Sequence, residues 1–303
     1  MSASDDLLVR RDVLRGFGSA ALASLTLAPA MSWADSLFGG ERFAEAVQAA
    51  EAQGGGRLGV AVLDTETQRR FAWRGDDRFP VTSTFKFVLA GAVLAAVDRG
   101  RERLDRRIPI AASDLVDYAP VTGKHVGAEG LTVAELCEAI IVWSDNAAAN
   151  LLLSTIGGPA GLTGFARGLG DDRFRLDRME TALNEAAPGD ARDTTTPLAM
   201  LGDLDRLLLG DVLSAASRAQ LTDWLVACRT GDQKIRASLP KDWRCGDKTG
   251  AGGYGTNNDI AILWPPRRRP ILVTSYLTGT TAALDSRNAA LAAVGRAIAA
   301  ALA

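Results

Sequence analysis

The sequence predicts a protein of the α/β class, with one unit that combines strands and helices and a second unit that is all helical. Strand-like runs lie near both ends of the chain, and the stretch between them has helical periodicity. Terminal strands need partners, so the two ends are expected to pair around the helical block. The chain has 303 residues, 47% hydrophobic and 23% charged, which suffices for one large domain or two modest ones.

The α/β subdomain is predicted to comprise residues 35–75 and 226–303. It begins with a helix over Glu41–Glu51, which a run of glycines ends. Two strands, Leu58–Leu63 and Arg70–Trp73, follow around a turn.

The middle of the chain, residues 76–225, is predicted to form the all-α subdomain. The expected helices are Thr84–Asp98, Thr132–Val142, Ala147–Ile156, Thr196–Leu209 and Ser214–Cys228. Strands then return at Trp243–Lys248, Asp259–Trp264 and Ile271–Leu277. A closing helix is predicted over Asp285–Leu302, with Asp285 as its N-cap.

The first 34 residues have the order of a secretory signal. Arg10 and Arg11 precede an uncharged run over residues 16–30, and small residues surround a possible cleavage site after Ala34. Paired arginines before a mildly apolar run are typical of a twin-arginine signal, which exports proteins already folded. The alternative is an N-terminal anchor helix, for which the run is only just long enough. We expect an exported protein, periplasmic or secreted, with no membrane attachment after cleavage.

Composition excludes several classes of partner. Lys and Arg total 34 against 36 Asp and Glu, so the net charge of −2 favours neither nucleic acid nor a membrane surface. The single histidine, His125, excludes a multi-histidine metal site, and we interpret it as structural.

Three cysteines cannot form a disulfide framework. Cys228 and Cys245 could pair, or they could be buried apolar side chains like Cys137.

The first chemical motif is Ser83-Thr84-Phe85-Lys86, at the start of a predicted helix. The helix dipole acts on a serine there, and a lysine three residues later lies on the same face. A lysine desolvated among apolar neighbours could have a lowered pKa and help to activate the serine. Alternatively, Ser83 is only a helix cap and Lys86 a solvated side chain.

The second motif is Ser144-Asp145-Asn146. Ser144 could pass a proton, and the amide of Asn146 could hold a substrate carbonyl. Taken alone, the motif also fits an N-cap cluster at the start of the next helix.

The third motif is Lys248-Thr249-Gly250, at the end of a predicted strand. A lysine beside a hydroxyl and a small residue can hold a carboxylate against an edge strand. The alternative is an ordinary strand end with a turn glycine.

These motifs occur together in the order found in class A β-lactamases and penicillin-binding proteins. The chain resembles a class A serine β-lactamase over nearly all of residues 41–302. A fourth stretch, Arg178–Asn184 followed by Arg192–Pro197, resembles the Ω-loop that carries the deacylating glutamate of that family. The resemblance implies an antiparallel sheet of about five strands flanked by terminal helices, an all-α subdomain, and an active site between them.

The resemblance also implies catalytic roles. Ser83 would attack the lactam carbonyl, with the N–H groups of Ser83 and Ala251 forming the oxyanion hole. Lys86 would belong to the proton network around Ser83. Ser144, aided by Lys248, would return a proton to the lactam nitrogen. Glu180 would activate the water that deacylates the enzyme.

Further residues would bind substrate or shape the site. Asn146 would hold the acyl-amide of the substrate, and Asn184 would position the deacylating water with Glu180. The remaining implied substrate contacts are Lys248, Thr249, Gly250, Ala251 and Tyr118. Arg178 and Asp193 would pin the neck of the loop. No cofactor or metal is implied, and the partner would be a small β-lactam bound by a monomer.

Two positions depart from the family pattern. Thr181 follows Glu180, where proline is commoner and the peptide is often cis. Asn257 stands where many members carry an arginine for the substrate carboxylate. Lys234 or Arg236 is expected to replace that arginine.

The predicted function is hydrolysis of penicillins and cephalosporins through a Ser83 acyl-enzyme, conferring antibiotic resistance. One alternative is a D,D-peptidase of the cell wall, which uses the same chemistry on a different substrate. Another is a non-catalytic β-lactam receptor, which would keep its acyl group. Glu180 decides between them, because a hydrolase needs a base within one water of the ester.

Overall fold

A five-stranded antiparallel sheet forms the centre of the computed structural model, which describes Phe38 and residues 40–302. The signal peptide predicted at residues 1–34 lies outside the described residues. The described strands are β1 (Arg57–Asp64), β2 (Arg69–Trp73), β3 (Phe79–Pro80), β4 (Arg107–Ile110), β5 (Gly127–Thr132), β6 (Thr194–Thr195), β7 (Arg244–Ala251), β8 (Asn257–Trp264) and β9 (Ile271–Thr278). The sheet order is β2-β1-β9-β8-β7, which confirms the predicted architecture.

Helices cover both faces of this sheet. They are α1 (Glu41–Gly54), α2 (Phe85–Asp98), α3 (Val133–Glu138), α4 (Asn146–Thr155), α5 (Gly158–Leu169), α6 (Pro197–Leu208), α7 (Ala215–Val226) and α8 (Leu284–Ala301). Alternate residues of a strand point to opposite faces, so β1 contributes to two apolar clusters. Leu63 packs in the cluster that contains α2, whereas Val60 and Val62 pack in the cluster that contains α1 and α8. None of the described helices is long and apolar enough to cross a membrane.

The two ends of the chain pair as expected. Strand β1 lies antiparallel to β9, with Arg57 opposite Thr278 and Asp64 opposite Ile271. Strand β7 ends the sheet order, so its outer side has no strand partner among the described residues. The proposed boundaries between the two subdomains stay a prediction.

Local backbone features place the first two motifs. Ser83 lies in a 3-10 turn, Thr82–Thr84, immediately before α2. Helix α3 starts with a capping box of Thr132 and Glu135 and continues as a π-helix over Ala139–Trp143. Ser144 ends that segment with a φ of 61°, and Asp145 caps α4 by accepting a hydrogen bond from the Ala148 N–H.

Several predicted elements differ from the structure. The N-cap of α8 is Ala283, and Asp285 lies in the first turn, where its charge still favours the helix dipole. Helix α5 and the β4–β5 pair lie in the middle of the chain, where neither was predicted. Helix α5 contains Gly158, Gly161, Gly164 and Gly168, which weaken the helical signal.

Candidate active site

A cavity of about 640 Å³ opens beside strand β7. Eight of the eleven predicted site residues line it: Ser83, Tyr118, Ser144, Asn146, Asn184, Thr249, Gly250 and Ala251. The other three, Lys86, Glu180 and Lys248, are buried beneath these residues and bonded to them. The structure therefore brings all eleven residues together.

Lys86 is the most connected group of the site. Its Nζ lies 2.9 Å from Ser83 Oγ, 2.6 Å from Asn146 Oδ1 and 2.9 Å from the Ser144 carbonyl oxygen. It also lies 2.9 Å from Glu180 Oε1, in an ion pair whose side chains are both fully buried. Burial lowers the pKa of Lys86, and the carboxylate of Glu180 opposes that shift.

Both carboxylate oxygens of Glu180 are engaged. Oε1 lies 3.4 Å from Ser83 Oγ, and Oε2 accepts a hydrogen bond from Asn184 Nδ2 at 2.5 Å. The peptide bond between Glu180 and Thr181 is cis.

Asn150 also holds Glu180, and sequence reasoning missed it. Its Oδ1 accepts a hydrogen bond from the Glu180 N–H at 2.9 Å, and its Nδ2 donates to the Glu180 carbonyl at 2.8 Å. Asn150 lies four residues after Asn146 on α4, so the two amides share one helix face. That spacing could have identified it.

Ser144 links Lys86 to Lys248. Lys248 Nζ donates to Ser144 Oγ at 3.0 Å and to the Thr249 carbonyl at 2.8 Å. Lys86 Nζ lies 3.5 Å from the same hydroxyl. Burial lowers the pKa of Lys248 to about 7, and the charges of Lys86 and Lys234 act in the same direction.

Asp145, between Ser144 and Asn146, does not line the cavity but anchors a neighbouring segment. Its carboxylate accepts hydrogen bonds from the N–H groups of Val121 and Thr122 and from Thr122 Oγ1. It therefore fixes the segment that carries Tyr118 against α4. Tyr118 itself is 57% exposed at the cavity mouth.

The end of β7 forms one wall of the cavity. A Cβ on Gly250 would lie 2.1 Å from Thr82 Oγ1, so only glycine lets the strand approach the Ser83 turn this closely. The Thr249 hydroxyl lies 2.6 Å from Thr230 Oγ1. Gly253, just beyond the strand, donates its N–H to the Asn184 carbonyl at 2.9 Å.

The structure separates the two basic residues that were expected to replace the arginine missing at Asn257. Lys234 lines the cavity, and its Nζ donates to the carbonyls of Gly250 and Asn258. Arg236 is bonded to Asp247 and does not line this cavity. Lys234 is therefore the better placed of the two.

An ion pair closes the neck of the loop over residues 178–193. Arg178 Nε lies 2.6 Å from Asp193 Oδ2. The other oxygen of Asp193 accepts the N–H groups of Asp177 and Arg178, at 2.7 and 2.9 Å. The loop that carries Glu180 is thus tied at its base.

Other residues considered from the sequence lie elsewhere. His125 is exposed, after a 3-10 turn, and does not line the cavity. Cys137, Cys228 and Cys245 are buried and unpaired. Within the described part of the chain, no group of three or more His, Cys, Asp or Glu side chains could hold a metal ion.

Known proteins are similar to this chain in sequence and fold. The model of the beta-lactamase enzyme family matches residues 42–302. An ancestral (GNCA) class A β-lactamase structure has 64% sequence identity and a TM-score of 0.83, over 84% of this chain and 97% of that chain. The class A β-lactamase of the last common ancestor of Gram-negative bacteria (GNCA4) has 62% identity and a TM-score of 0.84, over 86% of this chain and 98% of that chain. The chain therefore belongs to the class A β-lactamases, hydrolases that act on β-lactams.

Proposed function

We propose that this enzyme hydrolyses penicillins and cephalosporins through a Ser83 acyl-enzyme, and that it thereby confers resistance to these antibiotics. One observation carries the proposal. Ser83 Oγ lies 2.9 Å from Lys86 Nζ and 3.4 Å from Glu180 Oε1. A nucleophile with two candidate bases in reach can lose its proton during attack, and a buried carboxylate remains for the second step.

In acylation, Ser83 Oγ bonds to the lactam carbonyl carbon while Lys86 or Glu180 takes its proton. The N–H groups of Ser83 and Ala251 would stabilise the oxyanion. When the lactam C–N bond breaks, Ser144 gives its proton to the nitrogen. The proton taken from Ser83 then passes through Lys86, whose Nζ lies 3.5 Å from Ser144 Oγ, and restores that hydroxyl. Lys248, 3.0 Å from Ser144 Oγ, stabilises that hydroxyl as its proton leaves.

In deacylation, a water between Glu180 and Asn184 would attack the ester. Glu180 takes a proton from this water, and the ester C–O bond breaks as Ser83 Oγ recovers a proton. Asn184 and Lys86 each contact one oxygen of Glu180, so the carboxylate is held in one orientation. Positioning of this kind is what separates turnover from a stable acyl-enzyme.

Substrate recognition would use the walls of the cavity. Asn146 would hold the acyl-amide, and Tyr118 would cover the open side. Lys248, Thr249 and Gly250 would bind the substrate carboxylate. Many other members have an arginine at the position of Asn257, and Lys234 would supply the positive charge that this arginine provides.

We propose that the enzyme acts as an exported monomer, periplasmic or secreted. The paired arginines and the uncharged run within residues 1–34 support the export part of this proposal.

Time-resolved intact mass spectrometry with a chromogenic cephalosporin tests the mechanism. We expect the wild-type enzyme to turn over many equivalents, whereas Glu180→Gln accumulates one covalent adduct that maps to Ser83. Ser83→Ala should form no adduct. A wild-type enzyme that stops at one stable adduct would behave as a receptor or a peptidase, and the assignment of Glu180 would be wrong.

A further inference from the structure

Thr82, the residue before the proposed nucleophile, has a backbone conformation that its side chain disfavours. Its φ is 43°, in the left-handed region. A β-branched residue rarely adopts this region, because its Cβ comes too close to the following carbonyl oxygen. Strained residues persist only where the surrounding structure holds them, and they cluster at functional sites. The contacts that hold Thr82 are therefore of functional interest.

The side-chain amide of Asn258, on strand β8, holds the segment that leads to Ser83. Its Nδ2 lies 2.9 Å from the Pro80 carbonyl oxygen and 2.9 Å from Thr82 Oγ1, with the Val81 carbonyl oxygen further away at 3.5 Å. An amide nitrogen has two N–H donors, so one short hydrogen bond is made on each side of Val81. Asn258 and Thr82 are both fully buried.

The backbone of strand β7 also packs against Thr82. Gly250 is the residue opposite Asn258 in the pairing of β7 with β8. A Cβ on Gly250 would lie 2.1 Å from Thr82 Oγ1, and a Cβ on Gly252 would lie 2.9 Å from Thr82 Cγ2. Two adjacent strands thus confine the Thr82 side chain, and the amide of Asn258 forms its hydrogen bond.

The amide of Asn258 is only partly satisfied. Its Oδ1 is buried and has no hydrogen-bond partner among the described residues. A buried acceptor without a donor costs free energy, which offsets part of what the two N–H bonds contribute. An apolar side chain of the same shape would avoid this cost. The observation favours a role for Asn258 in positioning the segment over a role in stability.

We propose that Asn258 is a positioning residue for the oxyanion hole, acting through Thr82. The peptide group between Thr82 and Ser83 is planar and turns as a unit. By fixing the conformation of Thr82, Asn258 sets the direction of the Ser83 N–H, which would stabilise the oxyanion together with the Ala251 N–H. This inference rests on the proposed function, because it assumes that these two N–H groups receive the lactam carbonyl oxygen.

Infrared spectroscopy of the acyl-enzyme tests this role directly. The Glu180→Gln background is used, because it is expected to accumulate the ester. Hydrogen bonds from the oxyanion hole weaken the ester C=O bond and lower its stretching frequency. Asn258→Leu keeps the branched shape of asparagine without its donors. We expect this substitution to move the C=O band to higher frequency and to broaden it.

The acylation rate constant, measured by stopped flow with a chromogenic cephalosporin, is the second readout. Removal of an oxyanion-hole donor costs about 10²–10³-fold in kcat, so a donor that is displaced but present should cost less. We therefore expect Asn258→Leu to slow acylation about tenfold. In a Thr82→Gly background the same substitution should cost only about twofold, because glycine adopts positive φ without strain.

Thr274→Val is the matched control. Thr274 lies on β9, is fully buried, and donates its hydroxyl to the Pro197 carbonyl at 2.9 Å. The substitution removes a buried hydrogen bond to the main chain outside the cavity, so the C=O band and the acylation rate constant should not change. If Asn258→Leu does not fold, Thr82→Val replaces it. This variant removes the hydroxyl but keeps the β-branch, and the same shift of the band is expected.

Two outcomes would overturn the inference while leaving the proposed function intact. One is a folded Asn258→Leu or Thr82→Val enzyme whose C=O band and acylation rate constant match those of its parent. The other is an equal loss of acylation rate from Asn258→Leu with and without Thr82→Gly, which would indicate a role in general packing. Failure of the proposed function would be seen separately, as absence of acyl-enzyme and of lactam turnover by the wild-type enzyme.

Discussion

At the scale of single residues, the site holds two lysine side chains that are buried away from water. Lys86 and Lys248 are both fully buried, and both contact Ser144. Lys86 has the compensating carboxylate of Glu180, whereas the direct contacts of Lys248 are a hydroxyl and a carbonyl. A buried lysine with neutral partners costs stability whenever it is protonated.

We therefore expect Lys248→Met to unfold at a higher temperature than the wild-type enzyme at neutral pH. In the unfolded chain the lysine has a pKa near 10.5, against about 7 in the folded protein. The folded form thus holds its proton more weakly, and protonation destabilises it. The difference in the free energy of unfolding should grow by about 1.4 kcal/mol per pH unit as pH falls from about 10 to 7, then stay constant.

Calorimetry at a series of pH values measures this difference, with each kcal/mol shifting Tm by about 2–4 °C in a chain of this size. Lys241→Met, at an exposed lysine, is the control and should show no such slope. A difference in Tm that does not change with pH would contradict the prediction.

At the scale of elements, the loop over residues 178–193 holds the carboxylate of Glu180 in position. It is tied by the Arg178–Asp193 ion pair at its neck and by the Gly253 N–H to the Asn184 carbonyl at the cavity. Asn150 on α4 ties it a third time, through both main-chain groups of Glu180. Helix α4 therefore helps to set the position of Glu180, the residue proposed to activate the deacylating water.

Asn150→Ala should slow deacylation at least about tenfold while acylation changes less, because its loss frees Glu180 without touching Ser83. Burst kinetics and the steady-state fraction of acyl-enzyme, measured by mass spectrometry, separate the two steps. Thr155→Ala, at the exposed end of the same helix, is the control. Equal slowing of both steps would argue instead for general disruption of α4.

At the scale of the whole molecule, two apolar clusters lie on opposite faces of the sheet. Helix α2, which follows Ser83, belongs to one, and α1 and α8 belong to the other. Leu291 of α8 is fully buried in the second cluster. The second cluster thus stabilises the sheet from the face opposite α2.

Leu291→Ala should lower the free energy of unfolding by about 2–5 kcal/mol through the lost burial and the cavity it leaves. Thermal unfolding measures this loss, and kcat/KM at a temperature where both proteins are folded should be unchanged. Arg296 is an exposed residue of the same helix, and the free energy of unfolding of Arg296→Ala should stay within about 0.5 kcal/mol of the wild-type value. A large loss of kcat/KM in folded Leu291→Ala would contradict the separation of the two faces.

Much of this molecule could be predicted from its sequence, because long apolar segments specify their own periodicity. The helix at 85–98 and the strands of the sheet are of this kind. Helix α5 was not predicted, because its glycines have low helical propensity. The helix forms because tertiary packing overrides that propensity. The spacing of Asn150 from Asn146 places both amides on one helix face, but the partner of Asn150 is the main chain of a distant loop, which the sequence alone does not identify. The choice between Lys234 and Arg236 likewise needed the structure, which pairs Arg236 with Asp247.

The place of β9 in the sheet has a consequence for biosynthesis. Strands β1 and β2 are made early, yet β1 has β9 as its second neighbour, and β9 ends at Thr278. While the ribosome is still adding the middle of the chain, the edge of β1 that will pair with β9 is open. Helix α8, which completes the apolar cluster on one face of β1, has not yet been made. Such distant pairing makes folding slow and leaves the nascent chain prone to aggregation. The sheet can close only after β9 has been made, and an exporter that accepts only folded cargo would have to wait for that event.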